Sequence, residues 1–396
     1  MSVRRRTWTT PKGAEKTAWV VDYTDMAGKR RLKTFARKKE ADAFAATASV
    51  EVREGVHVAD SQTVTVREAA TLWLKSCDAA GLERSTTDQY RQHVQIHIEP
   101  FLGATKLNKL TVPAVRAFQE ALRENGRSPA MVKRVTVSLG SILSDAQERG
   151  LVVRNVVSEM SKRRGSKSSE KRQRKRLQYG VDIPTREEVR AILEAAEGRF
   201  RPLLITAIFT GMRASELRGL PWRDVDLDKA AVHVRQRADR FNAIGAPKSE
   251  AGHRSIPLTP LVVNTLREWK LACPPSRLDL VFPNSAGNVE SLGNIINRGL
   301  HPTIIKAGVT IETRKRDDEG KPILAARYTG MHALRHWYAS WCINAKADGG
   351  LELSPKAVQT RMGHSSIQMT FDTYGHLFPA ADEAEALAAA ERLLLA

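Results

Sequence analysis

The sequence contains few cysteines and no long apolar run, and both shortages exclude classes of protein. Its three cysteines, Cys77, Cys273 and Cys342, lie far apart and in no metal-ligand spacing. This excludes a disulfide framework and favours reduced thiols. No apolar run approaches the roughly 20 residues of a membrane helix, and the basic N-terminus precedes no apolar signal core. We therefore expect a cytoplasmic protein without a membrane span.

Acidic residues are also in short supply. The chain has 63 Lys and Arg against 44 Asp and Glu, a net charge of +19. An excess this large favours a polyanionic partner, either nucleic acid or anionic lipid. With 396 residues, 42% of them apolar, the chain can form two or three domains with buried cores. We expect a multidomain protein, and the helix and strand patterns along the chain indicate that it is mainly α with small β elements.

Residues 1–62 are predicted to form a small α+β domain. Residues 19–23 and 29–35 have strand patterns, and apolar residues recur at helical spacing between 38 and 54. The segment holds 13 basic and 8 acidic residues, a net charge of +5. A basic two- or three-stranded sheet fits a major groove, whereas the alternative is a solubilising appendage. The predicted DNA contacts on the second of these strands, residues 29–35, are Arg30, Arg31 and Lys33.

Residues 63–158 are predicted to form a helical domain of about four short helices. Residues 85–87 offer an N-cap for the second helix, which we expect Pro100 and Gly103 to end. Thr86, at the start of that helix, is a predicted DNA contact. Thr111 and Ser128 are predicted to cap the two helices that follow, each with a proline in its first turn.

His93 and His97 stand four residues apart within this helical segment. Such a pair can ligate a metal, but a protein site needs further ligands, and none follows nearby. We therefore interpret both histidines as polar residues on the surface or facing a groove.

Residues 159–180 are predicted to be a basic linker. Nine basic residues stand against two glutamates, a net charge of +7, without apolar periodicity. Such a segment does not fold alone, but it can order along DNA phosphates through a salt-sensitive attraction. The residues predicted to contact DNA here are Arg163, Arg164, Arg172, Arg174 and Lys175.

Residues 181–396 are predicted to form a mixed α+β domain. Thr185 is expected to cap a helix, and a buried apolar helix over residues 202–210 is expected to end at Gly211. Strands are predicted at 231–234 and 254–258, joined by a long basic turn, and residues 310–329 as a surface hairpin or loop. Further helices are predicted at 261–269, 289–306, 331–344 and 355–361. The Ala/Leu-rich tail after residue 379 has one apolar face, which docks either on its own domain or on a neighbouring molecule.

Four short strings in this last domain supply cations, imidazoles and a phenol without clustered carboxylates. They are Thr-Gly-Met-Arg-Ala-Ser-Glu-Leu from residue 210, Met-His-Ala-Leu-Arg-His from 331, Gly-His-Ser-Ser from 363, and Thr-Tyr-Gly-His from 373. Arginine forks bind phosphate oxygens bidentately and stay charged. His332 and Arg335 are three residues apart and so share a helix face, whereas we place His336 on a different face with a structural role. Such a set can hold a phosphodiester and attack it without a metal.

These strings resemble the motifs of the tyrosine recombinase (phage integrase) family, and the resemblance extends over residues 19 to 376. It implies Arg213 and Arg335 as phosphate clamps, His364 as a further phosphate donor, and Tyr374 as the nucleophile, with His332 as the proton acceptor. The family places its general-acid lysine in the hairpin that here contains Lys248. Of the six tyrosines, Tyr328 and Tyr338 lie in the same domain, and Tyr338 is predicted to be in the core.

The resemblance also implies a division of labour along the chain. Residues 1–62 match an arm-type DNA-binding domain, residues 63–158 the helical (SAM-like) core-binding domain, and 181–396 the catalytic domain. The implied activity is site-specific recombination: cleavage through a 3′-phosphotyrosyl intermediate, strand exchange, and religation by the freed 5′-hydroxyl, without a metal, ATP or another cofactor. The implied partners are double-stranded attachment sites and a homotetramer on DNA, with a host DNA-bending protein and a directionality factor as candidates.

Two rival functions would also involve DNA binding. One is a catalytically silent protein that binds or bends DNA on a recombinase scaffold, which has no use for the tyrosine. The other is a relaxing topoisomerase, which needs no arm-like N-terminal domain. A serine recombinase or a metal-dependent transposase is disfavoured, because the chain shows neither an early nucleophilic serine motif nor paired catalytic carboxylates.

Overall fold

Alternating side chains at the N-terminus build a three-stranded antiparallel sheet. The computed structural model describes residues 1–11, 15–24, 28–53, 63–164, 176–378 and 383–396. The strands pair in the order β1-β2-β3. The sequence patterns predicted the second and third strands individually but not the first. The strands are followed by a helix. The elements are β1 (Ser2–Thr9), β2 (Glu15–Thr24), β3 (Arg30–Phe35) and α1 (Lys38–Arg53).

One face of this sheet packs against α1. The ring of Phe44 on the helix lies 5.8 Å from that of Tyr23 and 5.3 Å from that of Phe35. The ammonium of Lys33 lies 4.0 Å from the centre of the Phe44 ring, so Lys33 is on the helix side. Arg31 is opposite Tyr23 in the strand register and therefore points to the same side.

The face opposite α1, here called the open face, carries exposed basic side chains. Arg30 lies on it and forms a bidentate ion pair with Asp22, which also pairs with Arg4 at 3.3 Å. Val3 packs into the domain core, so its neighbour Arg4 points away from the core. Of the three DNA contacts predicted on β3, only Arg30 lies on the open face.

A second hydrophobic cluster, separate from that of the sheet domain, lies in the helical segment that follows. Thr65, Thr111 and Ser128 cap their helices through their side chains, as predicted for the latter two. The helices are α2 (Val66–Ala79), α3 (Arg84–Gln92), α4 (Glu99–Leu102), α5 (Val112–Glu124), α6 (Pro129–Glu148) and α7 (Val156–Arg164).

The predicted N-cap of the second helix in this domain is wrong, whereas Gly103, one of the two residues expected to end it, is the C-cap of α4. Helix α3 begins after Glu83 without a side-chain cap. The nearby hydroxyls are used elsewhere, since that of Thr87 donates to the Arg84 carbonyl. Pro100 does not end the helix, because it lies in the first turn of α4 directly after the π-helical turn His93–Ile98. Proline has no backbone N–H to donate, and Pro100 lies where the hydrogen bonding changes from π-helical to α-helical.

His93 and His97 are buried, so their predicted surface location is also wrong. They are 4% and 7% exposed. Both are buried together with Val94 and Ile98, and His93 Nδ1 lies 2.8 Å from Ser138 Oγ. Within the described part of the chain, no three His, Cys, Asp or Glu residues cluster as a metal site would require.

The chain folds as two compact units, residues 1–170 and 171–396. In the second unit, Thr185 forms the predicted cap, as a full capping box, and Gly211 ends the apolar helix in a left-handed conformation. The first helices are α8 (Arg186–Ala195), α9 (Arg201–Thr210) and α10 (Ala214–Arg218). Next come the strands β4 (Val225–Asp226), β5 (Ala231–Val234), β6 (Arg237–Ala238), β7 (Ile244–Gly245) and β8 (Arg254–Pro257).

The strands of this unit form an antiparallel sheet, β4-β5-β8, and two separate hairpins. The hairpin β6-β7 lies within what the sequence predicts as one long turn. The predicted surface hairpin at 310–329 is confirmed by β9 (Thr310–Arg316) and β10 (Pro322–Ala326). The remaining helices are α11 (Pro260–Ala272), α12 (Leu292–Asn294), α13 (His301–Lys306), α14 (His332–Ile343), α15 (Pro355–Met362), α16 (Ile367–Tyr374) and α17 (Glu383–Leu395).

Helices α9 and α14 form the centre of this unit. Eight of the ten residues of α9 are buried, and Tyr338 of α14 packs in the core as predicted, at 1% exposure. In the described ranges, every helix is too short or too polar to span a bilayer. The fold class predicted from the sequence, mainly helical with small sheets, is confirmed.

We predict that Gly211→Ala destabilises the protein more than Gly308→Ala. Both glycines have a positive φ, of 59° and 72°, but an added Cβ at Gly211 would lie 2.3 Å from Tyr338 Cδ1, whereas at Gly308 nothing lies within 4 Å. Backbone strain of about 1 kcal/mol is common to both, and overpacking adds about 1–3 kcal/mol at Gly211 alone. Urea unfolding of both variants measures the difference. Equal losses would contradict the close packing of α9 on α14.

Candidate active site

The turn between α9 and α10 presents the first predicted clamp. Arg213 is the N-cap residue of α10, and its backbone amide donates to Glu216 Oε2 at 2.8 Å. Its guanidinium donates to Glu216 Oε1 at 2.8 Å and to the carbonyl of Gly363 at 3.0 Å. The side chain is 35% exposed, so part of the fork remains open to a ligand.

Glu216 lies under this turn and binds a second arginine that the sequence motifs do not assign. Arg254, on β8, donates to both carboxylate oxygens of Glu216 at 2.8 and 3.1 Å, and to the carbonyl of Arg361 at 2.8 Å. Both side chains of this pair are 2% exposed. Alternation along β8 places Arg254 on the same buried face as Ile256, which indicates that this arginine needs an acid but not which one.

Arg335, the second predicted clamp, is buried beside the first. It is 5% exposed and donates to the carbonyls of Gly211 and Met362. These bonds tie α14 to the residues that precede Arg213 and His364. The two predicted clamps therefore converge on the Gly211–Arg213 turn and the Met362–His364 turn.

His364 and Tyr374 lie together at the end of the domain core. Gly363 closes α15 in a left-handed conformation, and His364 follows with its Nδ1 2.9 Å from Thr370 Oγ1. The rings of His364 and Tyr374 are nearly parallel, at 8°, with centroids 6.2 Å apart. Tyr374, the last residue of α16, is 2% exposed.

The hydroxyl of Tyr374 contacts His336 rather than the predicted acceptor His332. His336 Nδ1 lies 2.8 Å from Tyr374 Oη. The expectation that His336 lies on a different face is wrong, because it follows His332 by four residues, one helical turn, and the two rings are 6.2 Å apart. Spacing to His332 is the signal that could have found His336.

Lys248 is exposed in the segment that joins β7 to β8. This segment folds back on itself, since a Cβ at Gly252 would lie 2.4 Å from Pro247 Cβ. Its far end is fixed by Arg254, whose Nη1 donates to the Gly252 carbonyl at 3.1 Å. The hydrogen bonds and ring contacts above join the other predicted catalytic residues, and Lys248 lies on a loop anchored to them.

The remaining predicted DNA contacts lie outside this unit or outside the described residues. Thr86 is half-buried in α3. Arg163 and Arg164 belong to the last turn of α7. Arg172, Arg174 and Lys175 fall outside the described residues.

Burial and positive charge depress the basicity of the histidines. Burial, then the charges of neighbouring residues, lowers the pKa of His336 and of His364 to about 4. The pKa of His332 is lowered too, chiefly by desolvation although its ring is exposed, and then by Arg335 and Arg213. These rings are therefore neutral at pH 7 in the free protein.

The phenol and the arginines keep their protons. Burial raises the pKa of Tyr374 to about 12, against the opposing charges of Arg335 and Arg213. Burial also lowers the pKa of Arg335 to about 10, which still leaves it charged at pH 7. For Glu216, burial acts to raise the pKa, but Arg254 and Arg213 outweigh it and bring the pKa down to about 2.

Two family models match this chain. The model of the phage integrase family matches residues 184–380, and that of the phage integrase N-terminal SAM-like domain matches residues 65–123. The chain belongs to the phage integrase family, the tyrosine recombinases. The family predicted from the sequence motifs is thereby confirmed.

Relatives of this tyrosine recombinase match it over most of their length. A tyrosine recombinase XerC-like protein of Caldanaerobacter subterraneus subsp. tengcongensis is 25% identical over 359 residues, 86% of each chain. The ICEBs1 integrase of Bacillus subtilis is 22% identical over 334 residues, 81% of each chain.

Solved structures share the fold. The Tn1549 transposon integrase in complex with a circular intermediate DNA has a TM-score of 0.61 at 20% identity, and the match covers 83% of this chain and 99% of that one. A lambda integrase tetramer bound to a Holliday junction has a TM-score of 0.54 at 18% identity, with 91% and 95% covered.

We predict that Glu216→Gln destabilises the recombinase by about 3 kcal/mol at pH 7, because breaking a buried pair leaves uncompensated charge. A pKa of about 2 against 4.5 for the free carboxyl corresponds to a similar figure at about 1.4 kcal/mol per unit. This stabilisation is present above pH 4.5 and is lost as the pH falls towards 2. Urea unfolding of variant and wild type at several pH values should give curves that converge on acidification. Glu312→Gln, on the exposed β9, is the matched control, and a constant difference down to pH 2.5 would contradict the ionised state of Glu216.

Proposed function

We propose that this protein is a site-specific DNA recombinase that integrates and excises a phage or other mobile element, with Tyr374 as its nucleophile. The observation that carries the proposal is the convergence of Tyr374, His364 and two arginine forks on two adjacent turns. Family membership supplies the reaction class, and this geometry supports the residue roles.

In the proposed reaction, a scissile phosphate occupies the space beside the Arg213 fork. Arg213 and Arg335 offset the charge that grows on the non-bridging oxygens, and His332 and His364 add donors. Tyr374 Oη attacks phosphorus, the bond to the 5′ oxygen breaks, and Lys248 protonates that oxygen. The 3′-phosphotyrosyl link conserves the bond energy for religation, so we propose that neither ATP nor a metal ion takes part.

The buried arginines favour an anionic ligand at this site. Arg213 and Arg254 bind Glu216 and the charge of Arg335 acts on it, which leaves an excess of two positive charges, and two of the three arginines are buried. Attraction of a phosphate by charge is strongest where solvent screening is weakest. The rival function, a silent DNA-binding protein, leaves the tyrosine hydroxyl in this cluster without a purpose.

The first 62 residues are proposed to bind arm-type sites. The open face of the sheet carries Arg4 and Arg30, whose side chains are 56% and 68% exposed. Arg6 lies two residues beyond Arg4 on β1 and thus on the same face. A sheet of this size with arginines on its free face fits a major groove.

The other domains and partners are proposed by analogy with the family. Residues 63–158 would bind the core site, residues 159–180 would follow the DNA backbone, and four protomers would act on two DNA sites. A host bending protein and a directionality factor are candidate partners. We place the protein in the bacterial cytoplasm, on DNA.

We predict that Tyr374→Phe abolishes covalent protein–DNA complexes but keeps DNA binding. Phenylalanine lacks the attacking oxygen, so no covalent link can form at this position. The test is denaturing-gel trapping on nicked substrates that carry sequence flanking the gene. Tyr179→Phe is the matched control, because it removes a hydroxyl that bonds Asn344 at 3.1 Å, away from the arginines. An adduct in Tyr374→Phe would move the nucleophile to Tyr328 or Tyr338. No adduct with wild type despite tight binding would favour the silent binder.

We predict that deleting residues 1–62 spares cleavage at core sites and weakens integration. Within the full chain, Arg4→Ala with Arg6→Ala should lower the slope of log affinity for arm DNA against log salt by about 2, at roughly 0.9 per phosphate contact. Lys33→Ala, on the helix side of the sheet, should leave that slope unchanged. Unaltered integration by the deletion variant would refute the arm-binding role.

A further inference from the structure

The Tyr374 hydroxyl is held by a residue outside the set that the sequence motifs assign. Among the described residues, its hydrogen-bond contact is His336 Nδ1 at 2.8 Å. The two rings meet edge to face, with centroids 5.7 Å apart and planes at 62°. On its other flank Tyr374 stacks against His364. The nucleophilic oxygen therefore has a fixed direction before any DNA is bound.

Tyr328, in the same domain, shows what a merely structural hydroxyl does here. Tyr328 Oη donates to a carboxylate, that of Glu188, next to the Ile183 carbonyl. A carboxylate and a carbonyl anchor a buried phenol by accepting its proton in a hydrogen bond. Tyr374 instead faces an imidazole, a group that can both accept a proton and return it near neutral pH.

We infer that His336 positions the Tyr374 hydroxyl and accepts its proton during attack on the scissile phosphate. The inference rests on the proposed function and goes beyond it by assigning the proton. As the Tyr374 Oη–phosphorus bond forms, the phenolic proton moves to His336 Nδ1. The bond from phosphorus to the 5′ oxygen breaks, and Lys248 supplies the proton to that oxygen. In religation the 5′ hydroxyl gives its proton back to Lys248 as it attacks phosphorus, the bond from phosphorus to Tyr374 Oη breaks, and His336 returns its proton to the departing phenolate.

The charges around His336 keep the proton on Tyr374 until DNA arrives. Three neighbours disfavour a positive charge on His336: His332 and Arg335 on its own helix, and His364 on the turn after α15. Asp182 acts in the opposite sense. With a pKa near 4 for His336, the ring is neutral from pH 6 to 9 and free to accept. A bound phosphodiester adds a negative charge, which favours the imidazolium. Attack is thereby coupled to substrate binding.

The variant His336→Asn separates positioning from proton acceptance. Its side-chain amide places a hydrogen-bonding atom near the position of Nδ1 but takes no proton. With nicked substrate, we expect His336→Asn to bind DNA normally and to cleave about a hundredfold to ten-thousandfold more slowly. Its rate should rise about tenfold per pH unit from 6 to 9, because attack then requires prior loss of the proton to solvent. The wild-type rate should be flat over the same range.

A substrate with sulfur in place of the 5′ bridging oxygen shows whether a variant is slow in the attack by Tyr374 or in the protonation of the leaving group. The thiolate leaves without protonation, so this substrate should restore cleavage by Lys248→Ala and leave His336→Asn slow. His233→Asn is the matched control, because His233 Nδ1 also bonds a hydroxyl, Ser255 Oγ at 2.7 Å, on the sheet β4-β5-β8. It should cleave as wild type does.

The outcomes separate this inference from the proposed function. If wild type and His233→Asn form adducts and His336→Asn forms them at the same rate, the role of His336 is overturned while the recombinase proposal stands. Rescue of His336→Asn by the sulfur substrate would also overturn it, since the defect would then lie at the leaving group. If no variant forms an adduct, wild type included, the proposed function itself has failed.

Discussion

The buried ion pair between Glu216 and Arg254 is the interaction on which the catalytic region depends. One carboxylate, 2% exposed, accepts from the backbone and side chain of Arg213 and from both ends of the Arg254 fork. Through Arg254 it reaches the carbonyl of Arg361, at the end of α15. Three segments that lie far apart in sequence are thereby fixed to one acidic group. Removing its charge would leave two arginines facing each other without compensation.

The arginines around Glu216 influence the protonation states of the neighbouring side chains in the free protein. Three guanidiniums and one carboxylate leave a positive excess, and that excess together with burial keeps three nearby histidines neutral. The phenol of Tyr374 stays protonated for the separate reason that burial outweighs the same positive charge. A phosphate would reverse part of this imbalance. The site is therefore prepared electrostatically for an anion and chemically silent without one.

Local sequence patterns predict the parts of this site that they encode. The string around Arg213, the spacing of His332 and Arg335, and the cap at Thr185 all follow from helix periodicity and from motifs a few residues long. They do not predict the role of Arg254, because the partner of that arginine is 38 residues away and only the folded sheet brings them together. They misplace His93 and His97, because both were assigned by their polarity, although they lie next to the buried Val94 and Ile98 on the inward side of the helix. His336 was misassigned for a simpler reason: it directly follows Arg335, which suggests another face, although its spacing of four residues from His332 places it on the same one.

The glycine of the Gly-His string has a packing reason that the motif alone does not give. Gly363 has a φ of 62°, and a Cβ there would lie 2.9 Å from Arg254 Nη1 and 3.0 Å from the Ala251 carbonyl. Its carbonyl also accepts from Arg213. The chain thus passes against the buried arginine at the one residue without a side chain, and His364 follows immediately. A larger residue at 363 would push the His364 turn away from Arg254, and with it the ring against which Tyr374 stacks. The position of Tyr374, the proposed nucleophile, is therefore set by the same buried ion pair, through a glycine that lies between them.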